Sequence, residues 1–356
     1  MKKLYSFLMG IVAIILVLWG VSYHIESRTK SGNGDKLVIY NWGDYIDPEL
    51  LTKFTRETGV QVQYETFDSN ESMYTKIKQG GTTYDIAIPS EYMISKMMSE
   101  HLLEKLDHSQ IKGLENIGKR FLNQSFDPRN QYSIPYFWGT LGIVYNTELV
   151  KTAPKHWSDL WRPEYKNSIM MIDGAREVMG VGLNALGYSL NSKNTKQLQE
   201  AVDKLYTLTP NIKAIVADEM KGYMIQNNAA IGVSFSGEAR QMLAKNDKLR
   251  YIVPTEASNL WFDNIVIPKT VKNKKAAYQF INFMLRPENA YKNALYVGYS
   301  TPNMPAKAML PKEIQEDKAF YPDEETMKHL EVYQQLGSKW LGIYNGLYLQ
   351  VKMYRK

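Results

Sequence analysis

The chain contains no cysteine. Disulfides, thiolate metal sites and a cysteine nucleophile are therefore excluded. So is a lipid-modified cysteine behind the apolar N-terminus. Histidine is scarce. His24, His101, His108, His156 and His329 stand singly, as surface or packing residues would. No Gly-x-Ser-x-Gly elbow, phosphate loop or His-Glu-x-x-His motif is present, so the common enzyme signatures are missing. Ser234 and Ser236 near Gly237 miss the elbow pattern. The net charge is +6, yet no block of five basic residues occurs. That pattern reads as a solvated surface, not a nucleic-acid face. Low-complexity tracts and repeats are absent too.

At the N-terminus, Lys2-Lys3 precede an uncharged run from Leu4 to Val21, and the next formal charge is Glu26. About 20 apolar residues span a bilayer, so residues 4–25 could be an uncleaved anchor. A basic start and an apolar centre equally suit a secretory signal, although Trp19 and Tyr23 crowd the small residues Gly20 and Ser22. In either case Lys2-Lys3 stay inside and the rest is exported. Ser31–Lys36 then reads as a flexible tether.

The 356 residues are enough for two domains, and 44% hydrophobic with 22% charged residues is an ordinary globular balance. Residues 37–88 read as β-α-β-α-β. Leu37–Tyr40 is a strand. Asp47-Pro48 starts a helix that Gly59 stops. Val60–Phe67 alternates as a half-buried strand would, Ser69-Asn70 caps a helix from Glu71 to Gln79, and Tyr84–Ile88 is a short strand closed by Pro89-Ser90. Residues 132–146 are aromatic and β-prone, as a strand crossing between lobes would be. Strands at Ile169–Ile172 and Ala230–Phe235 follow, with a helix at Ala175–Leu186. Lys274–Leu285 and Glu324–Leu336 read as amphipathic helices. Strands alternating with helices imply a parallel sheet with crossovers.

Two segments read Trp-x-Asp: Trp42-Gly43-Asp44 and Trp261-Phe262-Asp263. Residues i and i+2 of an extended chain point the same way, so each pair can build a wall with a π face and a carboxylate. Both pairs are expected at strand edges, where ligand crevices open in α/β sheets. Two such walls suit a ligand with cationic ends and an apolar middle, such as a linear polyamine. The alternative is chance spacing of two packed tryptophans. Further acids of interest are Asp173 and Glu177, at a helix start where capping is an equal reading, with Arg176 orienting or neutralising a neighbour. Ser90 and Tyr92 offer hydroxyls at a strand end, and Tyr299 sits in a turn. The 25 tyrosines raise ferric-iron binding, but no two are adjacent and no His or carboxylate motif accompanies them.

The segments Tyr40-Asn41-Trp42 with Asp44-Tyr45, Ser69-Asn70-Glu71, Tyr84-Asp85 with Pro89-Ser90, and Ser133–Tyr136, in that order, resemble the spermidine/putrescine-binding proteins of polyamine ABC transporters. So do Trp161–Lys166, Ala175–Val178, Trp261-Phe262-Asp263, and Gly298-Tyr299 with Thr301-Pro302-Asn303. The match runs from about residue 37 to the C-terminal region. The resemblance implies a type II, two-lobed α/β periplasmic-binding-protein fold with the ligand in the cleft. Lobe 1 would comprise residues 36–138 and 262–308, and lobe 2 residues 139–261 and 309–356, behind an N-terminal segment 1–35. It implies ligand contacts from Trp42, Asp44, Ser90, Tyr92, Asp173, Glu177, Phe235, Trp261, Asp263, Tyr299, and Tyr333 or Gln334. Three positions depart from the family pattern: Gly43, Gly174 and Phe235 stand where a hydroxyl or acid, an acid, and a Trp are usual. The implied function is extracytoplasmic capture of spermidine or putrescine and delivery to a membrane permease, by a monomer without catalysis, cofactor, metal or nucleic acid. Competing readings are a binder of another small cation or metal, a secreted hydrolase, and a surface interaction protein with a vestigial cleft.

Overall fold

The computed structural model describes residues 35–354 apart from 218. The signal or anchor expected at residues 4–25 lies outside them. Among the described residues, no helix is long and apolar enough to cross a membrane.

Among the described residues, ten strands form one mixed sheet. They are β1 Lys36–Trp42, β2 Gln61–Phe67, β3 Ile86–Ala87, β4 Ser133–Asn146, β5 Ile169–Ile172, β6 Ile212–Val216, β7 Ile231–Phe235, β8 Leu249–Ile252, β9 Ser258–Val266 and β10 Leu330–Glu331. The order is β2-β1-β3-β9-β4-β7-β5-β6, with β10 on β9 and β8 on β4. β1 runs parallel to β2 and β3, and β5 runs parallel to β6 and β7. These are the two parallel β-α-β halves that the alternating pattern predicts. They are joined by the antiparallel β4–β9 pair. The first part of β4 pairs with β9, and its continuation from Leu141 pairs with β7 and β8. One 14-residue strand thus runs from one half into the other.

Local chemistry explains the first half. The Asp47 side chain caps the helix Pro48–Thr58 by accepting from the Glu49 amide at 2.9 Å, and Gly59 ends it at φ 76°. That left-handed conformation strains residues with a Cβ. Leu50 and Phe54 on its inner face are fully buried, and Phe54 meets Phe280 and Phe283 of the helix Lys274–Met284 edge-on at 5.4 Å. Each such buried side chain contributes about 1.5–3 kcal/mol. A second core gathers Leu141, Ile143, Trp157, Val178, Val202, Tyr344 and their neighbours.

Three expectations need correction. The helix expected over Glu324–Leu336 stops at Met327. Leu330 and Glu331 instead pair with Ser258 and Asn259. Amphipathic spacing was overridden there by an edge of β9 that needed backbone partners. The strand expected at Tyr84–Ile88 shrinks to Ile86–Ala87. Finally, Trp261 and Asp263 do not lie at a strand edge. They sit inside β9, all nine residues of which are buried. The polar residues Ser258, Asn259, Asp263 and Asn264 disguised a central strand as a loop.

Candidate functional site

The site is built on β9. Alternation puts Asn259, Trp261 and Asp263 on one face. Asp263 is 6% exposed. Its Oδ1 accepts from Ser90 Oγ at 2.6 Å and its Oδ2 from Tyr45 OH at 2.6 Å. Burial pushes its carboxyl up to about 6, against the pull of the two hydroxyls. The Trp261 ring lies on Gly139, where an added Cβ would come within 2.4 Å of it. Tyr299 stands perpendicular to Trp261 at 5.0 Å, Phe235 meets it edge-on at 6.0 Å, and Tyr45 meets Tyr299 at 5.3 Å. The Tyr299 ring crosses Gly237, where a Cβ would be 2.0 Å away. Asp263 thus stands at the head of a chain of four aromatic rings, Tyr45, Tyr299, Trp261 and Phe235.

The loop after β3 supplies the hydroxyls. Ser90 forms an isolated antiparallel bridge with Asp263. Asn70, beside the capping residue Ser69, orients it. Asn70 Oδ1 accepts from the Ser90 amide at 3.0 Å, and Nδ2 donates to Ser90 Oγ at 3.0 Å and to Tyr92 OH at 3.1 Å. Tyr92 OH in turn reaches Glu71 at 3.3 Å.

The first Trp-x-Asp pair behaves differently from the second. Trp42 ends β1, half-buried against Phe67 at 4.6 Å, with Nε1 donating to the Ile88 carbonyl at 3.0 Å. Asp44 follows in a left-handed turn at φ 46° and is exposed. The shared face expected from i, i+2 spacing therefore holds for Trp261 and Asp263 but not for Trp42 and Asp44.

From the other half, Glu177 lies in the first turn of the helix Ala175–Asn184. Its Oε2 folds over Gly174, where a Cβ would be 2.1 Å away. The missing acid at position 174 thus makes room for Glu177. Burial raises the Glu177 carboxyl, and Arg176 opposes that. Asp173 is exposed and turned toward the C-terminal helix, where Lys352 Nζ meets it at 2.6 Å and Tyr348 OH donates to it. Partial burial raises its carboxyl, but these two partners outweigh that and leave it below its ordinary value. It does not cap the helix, because Gly174 occupies that position. Tyr333 is buried, with Arg176 over its ring at 4.2 Å. The Gln334 side chain is exposed, and its backbone bonds to Asn191 and Arg176.

Sequence reasoning missed Tyr45, Asn70 and Asn259. Continuing the i, i+2 argument one step back from Trp261 would have found Asn259. Nothing in the sequence aims Tyr45 at Asp263, 218 residues away. Among the described residues, no group of three or more His, Asp or Glu is placed to hold a metal.

Residues 49–322 match the family model described as bacterial extracellular solute-binding protein. The spermidine/putrescine-binding periplasmic protein of Salmonella typhimurium is 38% identical over 329 residues, covering 92% of this chain and 94% of that one. The putrescine-binding periplasmic protein of Escherichia coli is 30% identical, covering 89% and 90%. Among solved structures, the spermidine/putrescine ABC transporter substrate-binding protein of Streptococcus pneumoniae is 77% identical, with a TM-score of 0.84 over 90% of this chain and 100% of that one. A putative spermidine/putrescine ABC transporter structure from Listeria monocytogenes is 59% identical, with a TM-score of 0.86. These likenesses give the two halves their name, the two lobes of a periplasmic binding protein. The chain belongs to the bacterial extracellular solute-binding protein family, alongside the spermidine/putrescine-binding periplasmic proteins.

Proposed function

We propose that this protein captures a linear polyamine, spermidine or putrescine, between its lobes outside the cytoplasm and passes it as a monomer to a membrane ABC permease. The observation that carries this reading is Asp263, a buried carboxylate bonded to Tyr45 at the head of the linked rings of Tyr299, Trp261 and Phe235. An ammonium group beside Asp263 would favour its ionised form. Ring faces add about 0.5–2 kcal/mol for each well-placed cation, and they cover methylenes. Ser90 and Tyr92 extend the site in lobe 1. Glu177 and Tyr333 face it from the second lobe, so closure of the lobes completes it. Trp42 lies at its rim. Asp44 is free to meet a terminal amine. Asp173 is engaged by Lys352 and Tyr348 and plays no direct part in this reading, whereas the exposed Gln334 side chain is free to meet the ligand.

Calorimetric titration with spermidine and putrescine tests it. Saturable one-to-one binding with unchanged ligand recovered afterwards is expected. No heat and no thermal shift at millimolar polyamine, with folded protein, would refute it.

A further inference from the structure

One buried acid beside Asp263 has no role so far. Glu91 is the first residue of the helix Glu91–Ser99 and is fully buried. It stands beside the Ser90–Asp263 bridge, on the edge of β9 that reaches down to the β10 pairing. Its Oε2 accepts from the Phe262 amide at 2.9 Å, which satisfies that backbone donor. Its Oε1 is buried with no partner.

Glu91 is not alone in this. Seven buried side-chain polar atoms lack partners among the described residues, and five belong to Glu91, Arg176, Asn259, Trp261 and Tyr333. Asn259 and Trp261 share the Asp263 face of β9, and Arg176 lies on Tyr333. Each such atom forfeits about 1–3 kcal/mol, and native proteins keep few of them. Five gathered where the lobes meet mark a place for a polar guest.

We propose that Glu91 is an acid of the ligand cleft that exchanges its proton for an ammonium group of the ligand, so that cation capture releases a proton to solvent. This rests on the proposed polyamine reading. The groups facing Glu91 are Asp263 from β9, Arg176 and beyond it Glu177 from the helix Ala175–Asn184, Tyr333 after β10, and Tyr92 on its own helix. Burial dominates and pushes the Glu91 carboxyl up to about 8. Asp263 adds to the rise and Arg176 reduces it. Arg176 acts on Glu91 at a distance: its terminal nitrogens donate to the Leu190 carbonyl, Asn191 Oδ1 and the Gln334 carbonyl, and its Nε is one of the atoms left without a partner. At pH 7 the carboxyl therefore holds its proton. An arriving ammonium favours the carboxylate, the O–H bond breaks, and the proton passes to buffer. One positive charge enters as one leaves, so the buried cleft takes on no uncompensated charge.

Titration of the intact protein with spermidine, in phosphate and in Tris, reads the protons released from the difference in heats after correction for the ligand's own titration. At pH 7, wild type is expected to release about one proton, about 0.9 of it from a group titrating near 8. At pH 8 the Glu91 share falls to about half a proton. In Glu91→Gln, which keeps an oxygen for the Phe262 amide, release at pH 7 falls to about 0.1, the share left to Asp263. Wild-type affinity tightens about tenfold between pH 6 and 7 from this group alone, and the variant loses that slope. Binding with no proton released, or an equal count in Glu91→Gln, overturns the proposal while leaving polyamine capture standing. Absence of heat in both buffers, with no thermal shift, overturns both. If the variant does not fold, the wild-type count at pH 7 and 8 decides alone.

Discussion

Replacing Asp263 by Asn should make the protein without ligand more stable and the complex weaker. The Asp263 carboxyl is raised from 3.8 to about 6 because it is buried. That rise corresponds to about 3 kcal/mol against its ionised form. Its folded-state pKa lies above its unfolded one. Its contribution is therefore most favourable below pH 4, is lost as pH rises through 4 to 6, and is fully adverse at pH 7. Asn removes the charge but can no longer accept from both Ser90 Oγ and Tyr45 OH, which costs about 1–2 kcal/mol. The net gain at pH 7 is about 1–2 kcal/mol. A chain of 356 residues has an unfolding entropy near 0.7 kcal/mol/K, so Tm should rise by about 2 °C. Losing the charge partner of a desolvated ammonium costs about 2–5 kcal/mol of binding. Affinity should then fall between about 30-fold and several thousand-fold. Differential scanning calorimetry at pH 5 and 7, with and without spermidine, reads both quantities. The gain in Tm should shrink at pH 5, where wild-type Asp263 is mostly protonated. A variant less stable than wild type at pH 7, or one that still binds within a factor of ten, would refute the reasoning.

The remaining expectations concern the surroundings. Asp173→Asn should leave spermidine affinity within about threefold while loosening the C-terminal helix by about 1 kcal/mol, because Tyr348 and Lys352 lose the charge and the second oxygen of their shared carboxylate; a large affinity loss in titration would mean that Asp173 turns into the cleft. Gly237→Ala should displace the Tyr299 ring, which an added Cβ would meet at 2.0 Å, and cost about 1–3 kcal/mol of stability together with binding; an unchanged melt and affinity would show that the ring yields freely. Spermidine should reduce the radius of gyration in small-angle scattering by closing the lobes about segments 136–141 and 258–264; an identical profile at confirmed saturation would mean that no hinge moves.

The sequence was most informative where local rules decide. Asp47-Pro48, Ser69 and Gly59 mark helix ends by capping and backbone conformation alone, and β5 begins and ends where its apolar run does. It was least informative where a distant partner decides. Leu330 and Glu331 carry helical spacing yet join β9, because only the folded chain brings Ser258 and Asn259 beside them. Asp263 was recognisable from Trp261 two residues earlier, whereas Tyr45 and Glu91 were not. Their roles arise from tertiary placement, and a glutamate after Pro-Ser looks no different from a surface helix start. Asp173 shows the opposite failure. An acid in the right neighbourhood of sequence is held by Lys352 on a helix that no local pattern connects to it.

The late return of the chain to β9 has a consequence for biogenesis. Residues 330–334 lay their short strand on Ser258 and Asn259, and Asn191 and Arg176 hold them in place. Synthesis proceeds from the N-terminus, so β9 and its carboxylate emerge some 70 residues before the segment that brings Tyr333 to them. A nascent or C-terminally truncated chain would display Trp261 and Asp263 with that side of the crevice still missing. Such a chain would gain little stability from polyamine, and the ligand would act as a folding aid only after nearly the whole polypeptide is available.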